Sequence, residues 1–428
     1  MAVPESSKIK RIVDALLPWF AAHARDLPWR RTRDPYAIWV SEVMLQQTQV
    51  KTVIPYWERW RQALPTLQAA AGASSDQIHK LWEGLGYYTR VRNLQKAAQV
   101  ILDRHNGRFP EAFDDVLALP GIGRYTAGAI CSIAFNQPVP ILDGNVIRVL
   151  TRLFAIEENP KDKATNARLW HLAEALVKQA AASPPRAQSP EPEASFLNQS
   201  LMELGALICT PRQPRCLLCP VQSCCKAARQ QCPEAFPNLS ERLPATARHF
   251  MAFVVASRGE VFVRRRPAGV VNAHLWEFPN MEVLLRSQVP EDLFHNLFYA
   301  APKTLQPLCV VKHSITRYRI TLTAHLATLT RRPPKLPGKW VKPDRLSKLA
   351  FTAAHKKLAI AFCRRMPPAM PAKAVAQQVS RAQPRPPAQP WRGVMTLTPG
   401  KPSAVKLQTA GTPATFSAGP ASKPADGG

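Results

Sequence analysis

Leu119-Pro120-Gly121-Ile122-Gly123-Arg124-Tyr125-Thr126-Ala127 separates an acidic stretch that opens at Glu111 from an apolar run over Ala127 to Ala134. A proline and two glycines at this spacing predict a tight turn between two helices. Its bare backbone N–H groups would be presented at the start of the second helix, where the helix dipole also favours an anion. Gly121, Gly123 and Arg124 are therefore candidates for holding a nucleic-acid phosphate without reading sequence. An ordinary connection between two helices is the alternative that the turn alone leaves open.

The composition around this turn favours a polyanionic partner. The chain has 428 residues, with 57 Lys and Arg against 29 Asp and Glu, for a net charge of +28. Such an excess sets up a long-range positive field, suited first to nucleic acid and second to an anionic membrane surface. No apolar run is long enough to span a bilayer, and the stretch Met1 to Lys10 lacks the apolar segment of a secretory signal, so a cytoplasmic, nucleoid-associated protein is expected. Of the nine cysteines, five lie between Cys209 and Cys225, which suits metal ligation in a reducing compartment better than a disulfide scaffold. Cys131, Cys309 and Cys363 read as small core hydrophobes.

Outward from the hairpin, apolar residues recur at three and four spacing from Ile9 to about Ala181, as in Ile12, Leu16, Trp19, Phe20 and Leu94, Ala97, Ala98, Ile101. This predicts a mostly α-helical domain over residues 1–232. The four-proline stretch 183–194 is expected to be a surface insertion, with the helix resuming at Phe196. After a linker at 233–247, the runs FMAFVVAS, VFVRRR, CVVKH and YRITLTAHLATL read as strands, with one helix near 291–298, so an α+β domain is expected over 248–365. Residues 366–428 are rich in Pro and Ala and basic, and are expected to be disordered.

Cys209, Cys216, Cys219 and Cys225 follow an apolar helical run at the spacing C-x6-C-x2-C-x5-C, with Cys224 as a competitor for the fourth place. Four thiolates on such short loops can surround one soft metal centre. Twenty residues after the hairpin stands Asp143, in Ile141-Leu142-Asp143-Gly144-Asn145-Val146, where a helix N-cap is the simplest role. Hairpin, aspartate and cysteine quartet together resemble the endonuclease III superfamily of helix-hairpin-helix DNA glycosylases. Leu27-Pro28-Trp29-Arg30, Trp39 to Gln49 (WVSEVMLQQTQ) and Gly84-Leu85-Gly86-Tyr87-Tyr88 narrow the resemblance to the MutY family of adenine DNA glycosylases.

That resemblance implies a [4Fe-4S] cluster on the four cysteines and a monomeric enzyme acting on double-stranded DNA with A:8-oxoG or A:G mispairs. It implies that Glu42 protonates the leaving base, that Asp143 faces the sugar, and that Asn145 orients the site. Glu42 lies among Val40, Val43, Met44 and Leu45, and a carboxyl in apolar surroundings is pushed toward its protonated form. Tyr125 stands where strand-cutting relatives carry a Schiff-base lysine, and a phenol forms no imine, so a monofunctional enzyme is expected. Arg25, Leu27, Trp29, Arg30, Thr48 and Gln199 would line the base pocket, Gln47 would fill the vacated hole, and Tyr87 would wedge beside the opposing base. For Leu27 and Trp29 core packing is an equally good reading. The stretch His274 to Pro279 resembles the Nudix-like domain of the same family, without the Glu-rich box that binds Mg²⁺ in Nudix hydrolases. In its base-reading loop, Ile315-Thr316-Arg317 departs from the Phe-Ser-His of many relatives, with Thr316 keeping a hydroxyl for hydrogen bonding.

Overall fold

A computed structural model describes residues 5–183, 193–241, 244–284, 289–333 and 336–365. The core of the expected insertion and the tail 366–428 lie outside the described residues. Helices α1 (Glu5–His23), α2 (Pro35–Leu45), α3 (Val50–Ala63), α4 (Leu67–Gly72), α5 (Ser75–Leu81), α6 (Thr89–Arg104) and α7 (Phe113–Leu117) precede the hairpin. After it come α8 (Arg124–Phe135), α9 (Gly144–Phe154), α10 (Lys163–Ala181), α11 (Glu193–Leu207) and the short α12 (Lys226–Arg229). Helix α11 opens at Glu193 rather than Phe196, because Ala194 and Ser195 are already buried in the helical core. Among the described residues, no helix is long and apolar enough to cross a membrane.

These helices form two lobes with separate cores. One gathers Trp39, Trp60, Trp82, Leu94 and Ile101 from α2 to α6. The other gathers Ile12, Leu16, Val149, Leu172, Leu201 and their neighbours from α1 and α9 to α11. Helix α1 buries Ile9, Ile12, Val13, Leu16, Leu17 and Phe20, a single stripe at three and four spacing; each such side chain contributes about 1.5–3 kcal/mol by leaving water. Helix α8 lies between the lobes, with Ala127 and Ile130 in the first core and Ala129 in the second.

Helix α2 is different, since every residue from Tyr36 to Met44 is buried. Asp34 caps its start by accepting the Tyr36 N–H at 3.0 Å, and Pro35 supplies a preset first turn. At its end, one Arg90 nitrogen donates to the carbonyls of Val43, Met44 and Gln46 at 2.8, 3.1 and 2.6 Å. A helix with no solvent face carries any acid placed on it into the interior, and Glu42 is that acid.

The second domain is a mixed sheet of β1 (Thr246–Ser257), β2 (Glu260–Arg265), β3 (Trp276–Glu277), β4 (Asn280–Glu282), β5 (Thr304–Ile315), β6 (Tyr318–Thr328) and β7 (Lys339–Val341). The order is β3-β2-β1-β6-β5, with β4 on β1 and β7 on β2, and the central β1–β6 pair is parallel. Alternation along β1 sends Ala252 and Val254 to one face, covered by α14 (Ala353–Arg365), and Met251, Phe253 and Val255 to the other, covered by α13 (Pro290–Phe298). The long strands and α13 match the sequence reading. Strands β3, β4 and β7 are too short to show a period. The β5–β6 hairpin pairs Ile315 with Tyr318, so Thr316 and Arg317 form its two-residue tip, Thr316 with a left-handed φ of 51°.

In the 119–127 turn, Gly121 has φ +77°, and a Cβ there would lie 2.5 Å from the Asn93 Cβ. Gly123 caps α8 with an extended backbone and open space where a Cβ would go. Gly121→Ala is expected to lower unfolding stability by about 2 kcal/mol, against under about 1 kcal/mol for Gly123→Ala. Denaturant titration checks this; equal losses at both positions would contradict the packing described.

Candidate active site

The two lobes leave a cleft of about 550 Å³ between them. Arg25, Leu27, Trp29, Arg30, Glu42, Gln47 and Thr48 line it from one side, and Tyr125, Asp143, Asn145 and Gln199 from the other. Eleven residues singled out from five separate stretches of sequence thus share one cavity. Leu27 and Trp29 serve both readings, because they line the cleft and are also buried in the first core, Trp29 edge-on to Trp57 at 6.1 Å.

Glu42 is 5 % exposed, and Tyr125 donates its phenolic O–H to Glu42 Oε2 at 2.8 Å. The Tyr125 oxygen also lies 3.3 Å from the Met202 sulfur. Burial, with a smaller contribution from the Asp143 charge, pushes Glu42 up to about 7 against the pull of the Tyr125 hydrogen bond. Burial and the Glu42 charge push the Tyr125 phenol well above its ordinary value, so it stays a donor.

Asp143 is the N-cap of α9, accepting the Val146 N–H on Oδ1 at 2.7 Å, while Asn145 Nδ2 donates to Oδ2 at 2.9 Å. The simple capping role and a place in the cleft are therefore both true of it. Burial raises its pKa, and these two donors with the more distant Arg148 charge oppose the rise. Glu42 has a single hydroxyl as donor and Asp143 has two N–H groups, which separates a proton-carrying acid from a better-solvated carboxylate. Such a pair can protonate a leaving group and stabilise the positive charge that develops as its bond breaks.

The sequence reading missed three groups that hold this site. Glu203 of α11, 1 % exposed, accepts Arg25 Nε and Nη2 at 2.7 Å each and Arg30 Nη2 at 3.0 Å. Burial would raise its pKa, but the Arg25 and Arg30 hydrogen bonds outweigh it and leave the carboxyl at about 2. Both arginines expected to face a base are thus anchored on one carboxylate. A lone acid in the apolar run SLMELGALI was the available signal. Arg148 of α9 bonds Asn145 Oδ1 at 2.9 Å and the carbonyls of Gly205 and Cys209 at 2.8 Å each. Arg90, described above, is the third. Neither arginine differs in sequence context from a surface cation.

Tyr87 and Thr316 stand outside the cleft. Tyr87 is 51 % exposed at the apex of a turn, with a left-handed φ of 47°, and Thr316 is exposed on the second domain. Gly121, Gly123 and Arg124 lie at the hairpin, Arg124 with its guanidinium 4.0 Å over the Trp170 ring.

Cys209, Cys216, Cys219 and Cys225 line one small cavity beside Arg152. Arg152 is buried and donates to the carbonyls of Phe236, Thr210 and Pro211 at 3.0, 2.7 and 3.0 Å and to the Cys209 sulfur at 3.3 Å. Cys224 is buried in the second-lobe core instead, which leaves Cys225 as the fourth member of the quartet. Among the described residues, no group of three or more His, Cys, Asp or Glu side chains is gathered as closely as a single metal ion requires. Four thiol side chains around one cavity are a donor set of the kind that soft metal centres take. Arg212, Arg215, Lys226 and Arg229 are exposed on the same loop.

Residues 40–175 match the HhH-GPD superfamily of base excision DNA repair proteins, and residues 251–361 match the NUDIX domain. A rat protein named adenine DNA glycosylase is 36 % identical over 407 residues, covering 80 % of this chain and 76 % of that one. Its human namesake is 34 % identical, covering 80 % and 72 %. A solved thermostable thymine-DNA glycosylase, 30 % identical, matches 52 % of this chain and 98 % of its own, with a TM-score of 0.46. With a helical glycosylase domain, a Nudix-like domain and this identity spread over most of its length, the chain belongs to the MutY family of adenine DNA glycosylases.

Proposed function

We propose that this enzyme removes adenine mispaired with 8-oxoguanine or guanine from duplex DNA, hydrolysing the N-glycosidic bond and leaving an abasic site. One observation carries the reading: a buried carboxyl poised near neutral pH, fixed by Tyr125, in the same cleft as the hydrogen-bonded Asp143. Extruding adenine into such a cleft costs a few kcal/mol, least at a mispair. Glu42 then gives its proton to adenine N7, which makes the base a better leaving group. Asp143 stabilises the oxocarbenium-like sugar, as the second carboxylate does in glycoside hydrolysis, with Asn145 fixing its orientation. Glu42, now ionised, activates the water that completes hydrolysis.

The surrounding roles are those that the family resemblance implies for residues at these positions. Leu27 and Trp29 offer the base apolar walls, and Arg25 and Arg30 shape the pocket through Glu203 rather than as free cations. Gln199 and Thr48 supply polar contacts, Gln47 fills the vacated place in the duplex, and Tyr87 wedges beside the opposing base. The Gly121–Gly123 turn with Arg124 holds a phosphate. Thr316, at the β5–β6 tip, reads the oxidised base. Cys209, Cys216, Cys219 and Cys225 would hold a [4Fe-4S] cluster, which when bound would supply a structural staple that holds the basic side chains Arg212, Arg215, Lys226 and Arg229 toward phosphate. Tyr125 cannot attack the sugar as an amine would, so the strand stays intact.

The acid must be protonated, so activity is present below the Glu42 pKa and falls as pH rises through about 7. Single-turnover adenine release is expected to drop about ten-fold per pH unit above that point, and Glu42→Gln to lose about 10²–10⁴-fold throughout. A flat profile between pH 6 and 9 would remove Glu42 as the acid. Asp143→Asn is expected to keep its affinity for the mispaired duplex in a gel-shift titration while adenine release falls by about 10³-fold. Full activity in that variant would discard the two-carboxylate mechanism.

A further inference from the structure

Glu83 sits where the two domains meet and is 7 % exposed. Its Oε1 accepts the Phe351 N–H at 3.0 Å, and its Oε2 accepts Lys80 Nζ at 2.8 Å and Lys356 Nζ at 2.7 Å. Two of these three donors belong to the second domain. A buried carboxylate that loses one such partner is left strongly destabilised, so the contact is held as a unit.

On its other side, Glu83 opens the turn that carries Tyr87. Gly84, Gly86 and Tyr87 have φ of 111°, 73° and 47°, three left-handed residues in four. A turn of that shape must be held by its surroundings. The Glu83 carbonyl accepts the Tyr56 hydroxyl at 2.8 Å, and Gly84 N–H donates to the Tyr88 oxygen at 3.1 Å. Arg90 donates to the carbonyls of Leu85 and Gly86 at 3.1 Å each. Glu83 ties this turn, by its side chain, to the other domain's backbone at Phe351 and to Lys356 in the first turn of α14. Helix α14 in turn packs on β5 and β6, whose hairpin ends in Thr316. Further contacts between the domains leave from α5 and α6: Lys80 Nζ donates to the Leu349 carbonyl at 3.1 Å, Arg265 pairs with Asp76 at 2.6 Å, and Arg92 donates to the Ala273 carbonyl at 3.3 Å, while Leu275 and Ala350 pack into the first-lobe core.

We infer that Glu83 is a positioning residue that locks the Tyr87 turn to the second domain, so that engagement of the opposing base by the β5–β6 tip is felt at the wedge. This rests on the proposed preference for 8-oxoguanine opposite adenine. The physical content is a shared element whose arrangement both ends bias, which double-mutant coupling can measure.

The test uses the full chain with Glu83→Gln, Lys356→Met, their double variant, and Asp76→Asn as a control that breaks a docking contact away from the turn. Single-turnover adenine release is measured on A:8-oxoG and A:G duplexes, and a 2-aminopurine placed beside the opposing base reports stacking at Tyr87. Each single variant at the latch is expected to slow release from A:8-oxoG by about ten-fold and from A:G by less than about two-fold, with the double variant no slower than the worse single one. The fluorescence should shift in both latch variants and not in Asp76→Asn. Multiplying effects of the two latch variants, or an equal loss of selectivity in Asp76→Asn, would overturn the inference. Lys356, with its side chain 42 % exposed, carries the test if Glu83→Gln does not fold. Equal wild-type rates on the two duplexes would refute the 8-oxoguanine reading instead; the latch is then judged by the fluorescence alone, and an unshifted signal in the latch variants refutes it.

Discussion

The hydrogen bond from Tyr125 to Glu42 is the contact around which this molecule is organised. It joins α8 to α2 across the cleft and fixes a carboxyl that burial holds near a pKa of 7. Keeping such a group dry requires a helix buried on every side, and α2 is one. It also requires a partner that donates without taking the proton, which a phenol pushed well above its usual pKa does. A lysine at 125 would bring a charge against Glu42 and draw its proton away. The same substitution that closes the route to an imine thus also sets the acid.

The rest of the helical domain holds the second carboxylate opposite the first. Asp143 begins α9, and Gly205 of α11 lets that helix start come close, since a Cβ there would lie 2.7 Å from the Asn145 Cβ. Arg148 and Arg152 on α9 bind carbonyls of the cysteine segment, at Cys209 and at Thr210 and Pro211. One helix therefore carries the cleft carboxylate Asp143 at its N-terminus and the anchor of the cysteine loop along its length. In the proposed mechanism the quartet and its arginine are a fastening, while bond cleavage belongs to the two carboxylates. Glu203 serves the same end from α11, gathering Arg25 and Arg30 so that two cations line the cleft without facing it as free charges.

Much of this was legible in the sequence because the signals were local. The hairpin was readable from Gly121 and Gly123, the cysteine loop from spacing, and Glu42 from its apolar neighbours. Long strands such as β1 and β6 announced themselves by β-branched and aromatic content, whereas β3 and β7, with two and three residues, did not. What was hidden depends on pairings between distant segments. Glu203 meets Arg25 across 178 residues, and Glu83 meets Phe351 across 268. No periodicity or spacing encodes such a meeting, and an arginine that caps carbonyls, as Arg90 does, looks in sequence like any surface cation. Asp143 shows the converse: the local signal for a cap was correct, and the cleft around it came only with the fold.

The central claim is that two carboxylates and a phenol release a base without breaking the strand. The most direct measurement incubates the enzyme with an end-labelled A:8-oxoG duplex and analyses the products with and without alkali, alongside borohydride trapping. Free adenine, an intact strand that breaks only after alkali, and no trapped complex are the predicted result. Strand cleavage before alkali together with efficient trapping of the wild-type enzyme would contradict it.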